Sequence, residues 1–183
     1  MALVIVGIVI VVLLLMVVSI YNRLVSLRQT VRQGVADIDA QLRQRHDLVP
    51  NLVESVKGYA AHESGTLEAV IEARNKAAQG PLASGDEAGF KLALDRVLAL
   101  GEAYPDLKAS ANFQQLQGEL ADIEDKLAAA RRALNAAVAR FNAGIESFPA
   151  VLFAGAFGFR HADFNQLDDS EKGVVDQVPK ISF

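Results

Sequence analysis

The sequence predicts an all-α protein: an N-terminal transmembrane helix continuing into a long-helix antiparallel four-helix bundle. Three observations carry this. Residues Ala2 to Ile20 form an unbroken apolar run. Between Asn112 and Phe148, large apolar residues recur every seventh position: Phe113, Leu120, Leu127, Leu134, Phe141 and Phe148. A second set sits three residues after the first five: Leu116, Ile123, Ala130, Ala137 and Gly144. This spacing marks a helix buried along one stripe, in a bundle or coiled coil. The second set shrinks from Leu and Ile to Ala to Gly, so a neighbouring helix is expected to approach more closely toward Phe148.

The 183 residues suffice for one domain plus an anchor. The division read from the pattern is an anchor over 1–20, a bundle over 21–148, and an apolar Phe-rich segment with an extended tail over 149–183. Cysteine is absent, which excludes disulfides, thiolate catalysis and Cys-based metal sites. A net charge of −4 argues against a nucleic-acid partner, which needs a broad basic face.

The Ala2–Ile20 run, as a helix, reaches roughly 29 Å, about the hydrocarbon thickness of a bilayer. A cleaved signal peptide fits less well than a retained span. No basic region precedes the run, and Val18-Ser19-Ile20-Tyr21 is a poor cleavage site. Tyr21 falls at the membrane interface, where amphipathic rings settle. Arg23, Arg28 and Arg32 follow with no acid until Asp37, so the C-terminal domain is expected in the cytoplasm and the N-terminus outside.

The apolar stripe continues through Leu24, Val31, Val35, Ile38, Leu42, Val49, Leu52, Val56 and Tyr59. The stripe keeps phase across Pro50, which favours one kinked helix over a break near Asp47. A break is expected at Lys57–Gly65, with Ser64 or Thr66 as cap. A short helix then carries Leu67, Val70, Ile71, Arg74 and Ala78 and ends before Gly80-Pro81. After the Pro81–Gly85 loop, Ser84 or Asp86 caps a helix with Phe90, Leu94, Val97 and Leu98 on one face. Tyr104-Pro105-Asp106 closes it. The two long helices outreach the middle two by about twofold at 1.5 Å per residue. Two long helices alone cannot cover both stripes, so the membrane-proximal part is expected to seek a partner: another copy or the tail.

The segment from Phe148 to Phe159 holds four Phe and no charge, and is too short to span. Three placements stay open: in the membrane interface, between the long helices, or against a neighbouring subunit. The C-terminal Val178, Ile181 and Phe183 alternate, as in an extended strand along a groove, with a disordered end as the other reading. The candidate membrane-interface or subunit-contact residues are therefore Tyr21, Phe148, Phe153, Phe157, Phe159, Ile181 and Phe183.

Catalytic, metal and cofactor residues are not predicted. His46, His62 and His161 stand apart, and no HExxH or His-x-x-x-His occurs. His46-Asp47 and His62-Glu63 read as solvated faces, as do Glu63, Glu68 and Glu72. Walker, GxGxxG and GxSxG motifs are absent. Asn135 and Asn142 adjoin seam positions, where a buried Asn fixes register and a seam-edge Asn bonds water.

In its order of pieces the chain resembles the LemA family. The resemblance rests on Tyr21-Asn22, Arg45-His46-Asp47-Leu48-Val49-Pro50-Asn51-Leu52-Val53, Val56-Lys57-Gly58-Tyr59-Ala60 and Ala73-Arg74-Asn75. It continues in Glu102-Ala103-Tyr104-Pro105-Asp106-Leu107, Asn112-Phe113, Ala130-Arg131-Arg132, Phe141-Asn142, Ser147-Phe148-Pro149, Phe157-Gly158-Phe159 and Pro179-Lys180-Ile181-Ser182-Phe183. Leu134 stands where the family often has an aromatic, and Glu124-Asp125 where Glu-Asn is usual. The resemblance implies a bacterial inner-membrane protein, single-pass, without enzyme activity or cofactor. It implies links to envelope stress, to a membrane zinc metalloprotease, and in one branch to internal membrane compartments. Two functions follow as expectations: a self-associating scaffold at the bilayer, or a regulatory adaptor for a membrane protease or sensor.

Overall fold

The computed structural model describes residues 1–79 and 86–163. These are all-α, and no strand occurs among them. In order come α1 (Ala2–Lys57), α2 (Ser64–Ala77), α3 (Asp86–Ala103), α4 (Pro105–Ala109), α5 (Ala111–Glu146) and a 3-10 turn (Ala150–Leu152). The Pro81–Gly85 loop, Ser84 and the tail with Ile181 and Phe183 lie outside the described residues.

Pro50 neither ends α1 nor starts a new helix. Lacking an N–H, it leaves the carbonyl of His46 without its partner four residues on. The Arg74 side chain of α2 supplies one: its Nε donates to the His46 carbonyl at 2.8 Å. A side chain from a neighbouring helix thus substitutes for the missing rung, and α1 continues to Lys57. The expected cap at Ser64 is not formed. Ser64 is the first helical residue, and Glu63 precedes it without a side-chain cap bond. Glu63 instead accepts a hydrogen bond from the Tyr104 hydroxyl at 3.0 Å, which raises the Tyr104 phenol above its ordinary value. Pro105 does not merely close α3; it opens α4 at the first turn, where a missing N–H costs nothing.

The chain forms two compact units, Arg32–Ala133 and Met1–Val31 with Leu134–Phe183. Parts of α1 and α5 belong to each. In the Arg32–Ala133 unit, one core draws on every helix. Val49, Leu52 and Val56 of α1 join Leu67 and Val70 of α2, Phe90, Leu94 and Val97 of α3, Leu107 of α4, and Phe113, Leu116 and Leu120 of α5. Gly101 packs so closely on Phe113 that an added Cβ would lie 2.8 Å from the ring. The predicted stripes hold here except at Val35 and Tyr59 of the first and at Ile71 and Ala78 of the second, which are exposed.

The other unit has a smaller core: Leu24, Phe141, Ile145, Ala150, Ala154 and Phe159, flanked by Ile20, Val25, Leu27 and Val31. The heptad seam of α5 is buried through Phe141 but not at Phe148, which is 80% exposed because α5 stops at Glu146. The predicted close approach is realised at Gly144. A Cβ there would lie 2.9 Å from Leu27 Cδ1 and 3.3 Å from Leu24 Cδ2. The first part of α1 contains a stretch with mean hydropathy 3.5 and no buried residue. It is long and apolar enough to cross a bilayer, which fits a membrane location.

Candidate interaction surface

Two clusters stand out, one in each unit. The first is polar and was not foreseen. Arg45 is only 2% exposed, although it is charged. Its Nη1 donates to Glu124 Oε1 at 2.6 Å, and its Nη2 pairs with Glu87 Oε2. His46 is buried too, with Nε2 3.0 Å from Glu87 Oε1, at ion-pair distance but off the axis of a hydrogen bond. Phe90 roofs the pair. The His46 ring meets it edge-on at 4.8 Å, and the Arg45 guanidinium lies 5.2 Å from its centroid. Burial pushes the Glu87 carboxyl up, but the His46 contact and the Arg45 charge outweigh it and hold the carboxyl below its ordinary value.

His46 is therefore no member of a solvated face. The signal was present in the stripe itself: between Leu42 and Val49 the apolar positions skip a turn, and Arg45 and His46 fill it. His62, Glu68 and Glu72 do face solvent, while Glu63 is half-buried against Tyr104. His161 is exposed beside Glu146, at 3.0 Å. Among the described residues, no group of three His, Asp or Glu is placed to hold a metal ion.

The second cluster contains most of the predicted contact residues. After α5, the chain turns through the 3-10 helix and then through one more turn closed at Gly158. Gly158 has φ +74°, its N–H bonds the Gly155 carbonyl, and the Phe159 N–H bonds the Ala154 carbonyl at 2.9 Å. This is the Schellman closure, in which glycine takes the left-handed position and the next residue packs back on the turn. Phe159 and Ala154, the two ends of that contact, are both buried. Beyond them, Asn142 of α5 clamps the backbone of Ala162, donating to its carbonyl and accepting from its N–H, both at 2.9 Å.

The seven predicted contact residues divide. Phe159 is 4% exposed, stacks edge-on with Tyr21 at 5.6 Å and Phe141 at 6.4 Å, and carries Arg28 at 5.0 Å over its ring. Phe153 is half-buried. Tyr21, 40% exposed, also meets Phe157 at 5.4 Å. Phe148 and Phe157 point largely outward, joined by Val151 and Leu152, which the sequence reading did not single out. Ile181 and Phe183 lie outside the described residues.

Among the described residues, an all-α fold with one helix long and apolar enough to cross a bilayer fits the class of membrane-associated helical proteins. The chain belongs to the LemA family, whose family model matches residues 34–183. It is similar to the magnetosome protein MamQ of Magnetospirillum gryphiswaldense, 23% identical over 79% of this chain and 64% of the relative. The magnetosome protein MamQ 1 of Paramagnetospirillum magneticum is 23% identical over 80% of this chain and 64% of the relative. Protein LemA of Metamycoplasma hominis is 26% identical over 85% of this chain and 73% of the relative. The chain thus spans under two thirds of the length of the MamQ relatives. The names of the family and of these relatives are not enzyme names.

Proposed function

We propose that the chain is a non-enzymatic scaffold, anchored in the cell membrane by residues 1–20 and self-associating at the bilayer surface. Its C-terminal domain lies in the cytoplasm and its N-terminus outside. The observation that carries this is the uncovered apolar surface of the Met1–Val31 and Leu134–Phe183 unit. The apolar stretch of α1 is unburied, and Phe148, Val151, Leu152 and Phe157 are exposed. Such surface calls for cover by lipid, by another copy or by the C-terminal tail, and the scaffold reading assigns it to lipid and to another copy. Similarity to proteins named for a magnetosome, a cellular structure rather than a reaction, supports the scaffold reading. Multi-angle light scattering of the full-length protein in mild detergent tests it. Particles holding several copies are expected; a single copy at every concentration contradicts self-association.

A second reading, a regulatory adaptor, is favoured by a groove in the Arg32–Ala133 unit. It has a volume of about 330 Å³, a floor of Leu48 and Ile123, and a rim of Asp47, Glu119, Asp122 and Lys126. An amphipathic helix with basic flanks, offered by a membrane metalloprotease or sensor, suits that chemistry. A protein that co-purifies stoichiometrically and is lost with the charge reversal Glu119→Lys at the exposed rim supports this reading.

A further inference from the structure

We infer that the turn between Phe148 and Phe157 is a second membrane contact, a monotopic foot that inserts its exposed apolar side chains into the lipid interface. The inference rests on the membrane-anchor part of the reading above and not on self-association.

Four observations within the one unit converge. The first is position. Phe148, Pro149 and Ala150 share the wall of a small cavity with Ile20, and the Phe157 ring stacks on Tyr21. Both ends of the turn therefore sit against the last residues of the apolar span, where hydrocarbon gives way to headgroups. Any bilayer that takes up the span brings its interface to this turn without a further partner. The second is apolar exposure. Phe148, Val151 and Leu152 (67% exposed) point outward with Phe157 (46%) from a stretch that carries no charge.

The third is the backbone. Inserting peptide groups into an interface is costly when their N–H groups are unpaired. Here the N–H groups of Val151, Leu152, Phe153, Ala154, Phe157, Gly158 and Phe159 are all bonded to carbonyls inside the segment or at Ser147. The turn reaches lipid with most of its donors already satisfied. The fourth is charge. Arg23 shares the cavity wall with Phe148, and Arg28 follows with no acid before Asp37, so basic groups stand where anionic headgroups begin. Phe159 is excluded from the contact, since it is buried in the core of the unit and holds the turn in shape.

The chain has no Trp, so one introduced residue reports alone. Full-length protein carrying Leu152→Trp is placed in nanodiscs at one copy per disc, in lipid brominated on the acyl chain near the headgroup. Gln115→Trp, exposed in the other unit, serves as the water-facing control. The Leu152→Trp emission is expected to shift to the blue of the control and to lose about half its intensity to the brominated lipid, as for a ring at the headgroup–acyl boundary. Phe157→Trp should behave alike. Emission matching the Gln115→Trp control, without quenching, overturns the inference. So does a blue shift that appears only when discs hold two or more copies, which assigns the face to a second copy. Light scattering separates the two readings: single-copy particles with a quenched Leu152→Trp overturn self-association and keep this inference, and multi-copy particles with an unquenched one do the reverse.

Discussion

The two units use the same pair of long helices, and what those helices meet differs. In the Arg32–Ala133 unit, α2, α3 and α4 supply Leu67, Val70, Phe90, Leu94, Val97 and Leu107 to cover the stripes of α1 and α5. The cover is complete enough to bury a charged side chain, Arg45, against a half-buried Glu87. In the other unit, among the described residues, the cover comes from the turn after α5. It contributes Ala150, Ala154 and Phe159 to the core and leaves Phe148, Val151 and Leu152 outside. The amphipathic period is the same in both; the number of covering elements decides which apolar residues remain for an external surface.

The largest expected effect breaks the well-covered unit. Arg45→Leu leaves the half-buried Glu87 beside His46 without its guanidinium and is expected to cost about 2–3 kcal/mol, less than a fully buried pair that loses one partner. Thermal melts of the helical signal read it, and a change near zero would mean that the pair is solvated. In the less covered unit, the comparison is sharpened at Gly144. Gly144→Val forces a methyl against Leu27 and Leu24 and should cost about 1–3 kcal/mol by overpacking. Because that core is small, the loss should appear as faster amide exchange over 150–159 rather than in the Arg32–Ala133 unit.

A smaller effect tests how α1 passes Pro50. Arg74→Leu removes the donor to the His46 carbonyl and should cost about 1 kcal/mol, the worth of a half-buried hydrogen bond. Pro50→Ala restores an N–H for the same carbonyl. The double variant should therefore lose less than the sum of the two single variants, a coupling measured by a double-mutant cycle. Additive losses would dissociate Arg74 from the proline.

The smallest is a pH dependence. The folded Glu87 carboxyl lies below its ordinary value of 4.5, so the folded state holds fewer protons there than the unfolded chain. Its contribution is fully present above the ordinary value and is lost as pH falls through the lower folded value. Glu87→Gln should remove part of the slope of stability against pH in that acid range. An unaltered acid slope would place the carboxyl's interactions elsewhere.

Much of this fold was legible in residue spacing, because a helix with one buried stripe writes its period into the sequence. The heptads from Phe113 to Phe141 and the stripe through Leu24, Ile38, Leu42, Val49 and Leu52 are buried as read. The tapering of the second seam set to Gly144 likewise foretold a close approach. Period fails where the helix stops, so Phe148 kept its place in the heptad count while lying past the end of α5. Long-range polar pairing was not legible. Glu87 is 42 residues from Arg45 and Glu124 is 79, and single charges on a helix ordinarily read as solvent-facing. Likewise, nothing local couples Arg74 to the carbonyl that Pro50 orphans, 28 residues earlier. The inward and outward halves of the Phe148–Phe159 turn were also beyond reach, since the Schellman closure at Gly158, not periodicity, sets which Phe packs back.

Amide hydrogen exchange on the full-length protein in nanodiscs tests the contrast between the units most directly, because local stability follows buried contacts. The account predicts that amides around Val49–Val56, Val70, Phe90–Val97 and Phe113–Leu120 exchange together and last, and that those of 150–159 exchange earlier and independently of them. Equal protection in both places, or a turn that outlasts the Arg32–Ala133 core, would contradict it.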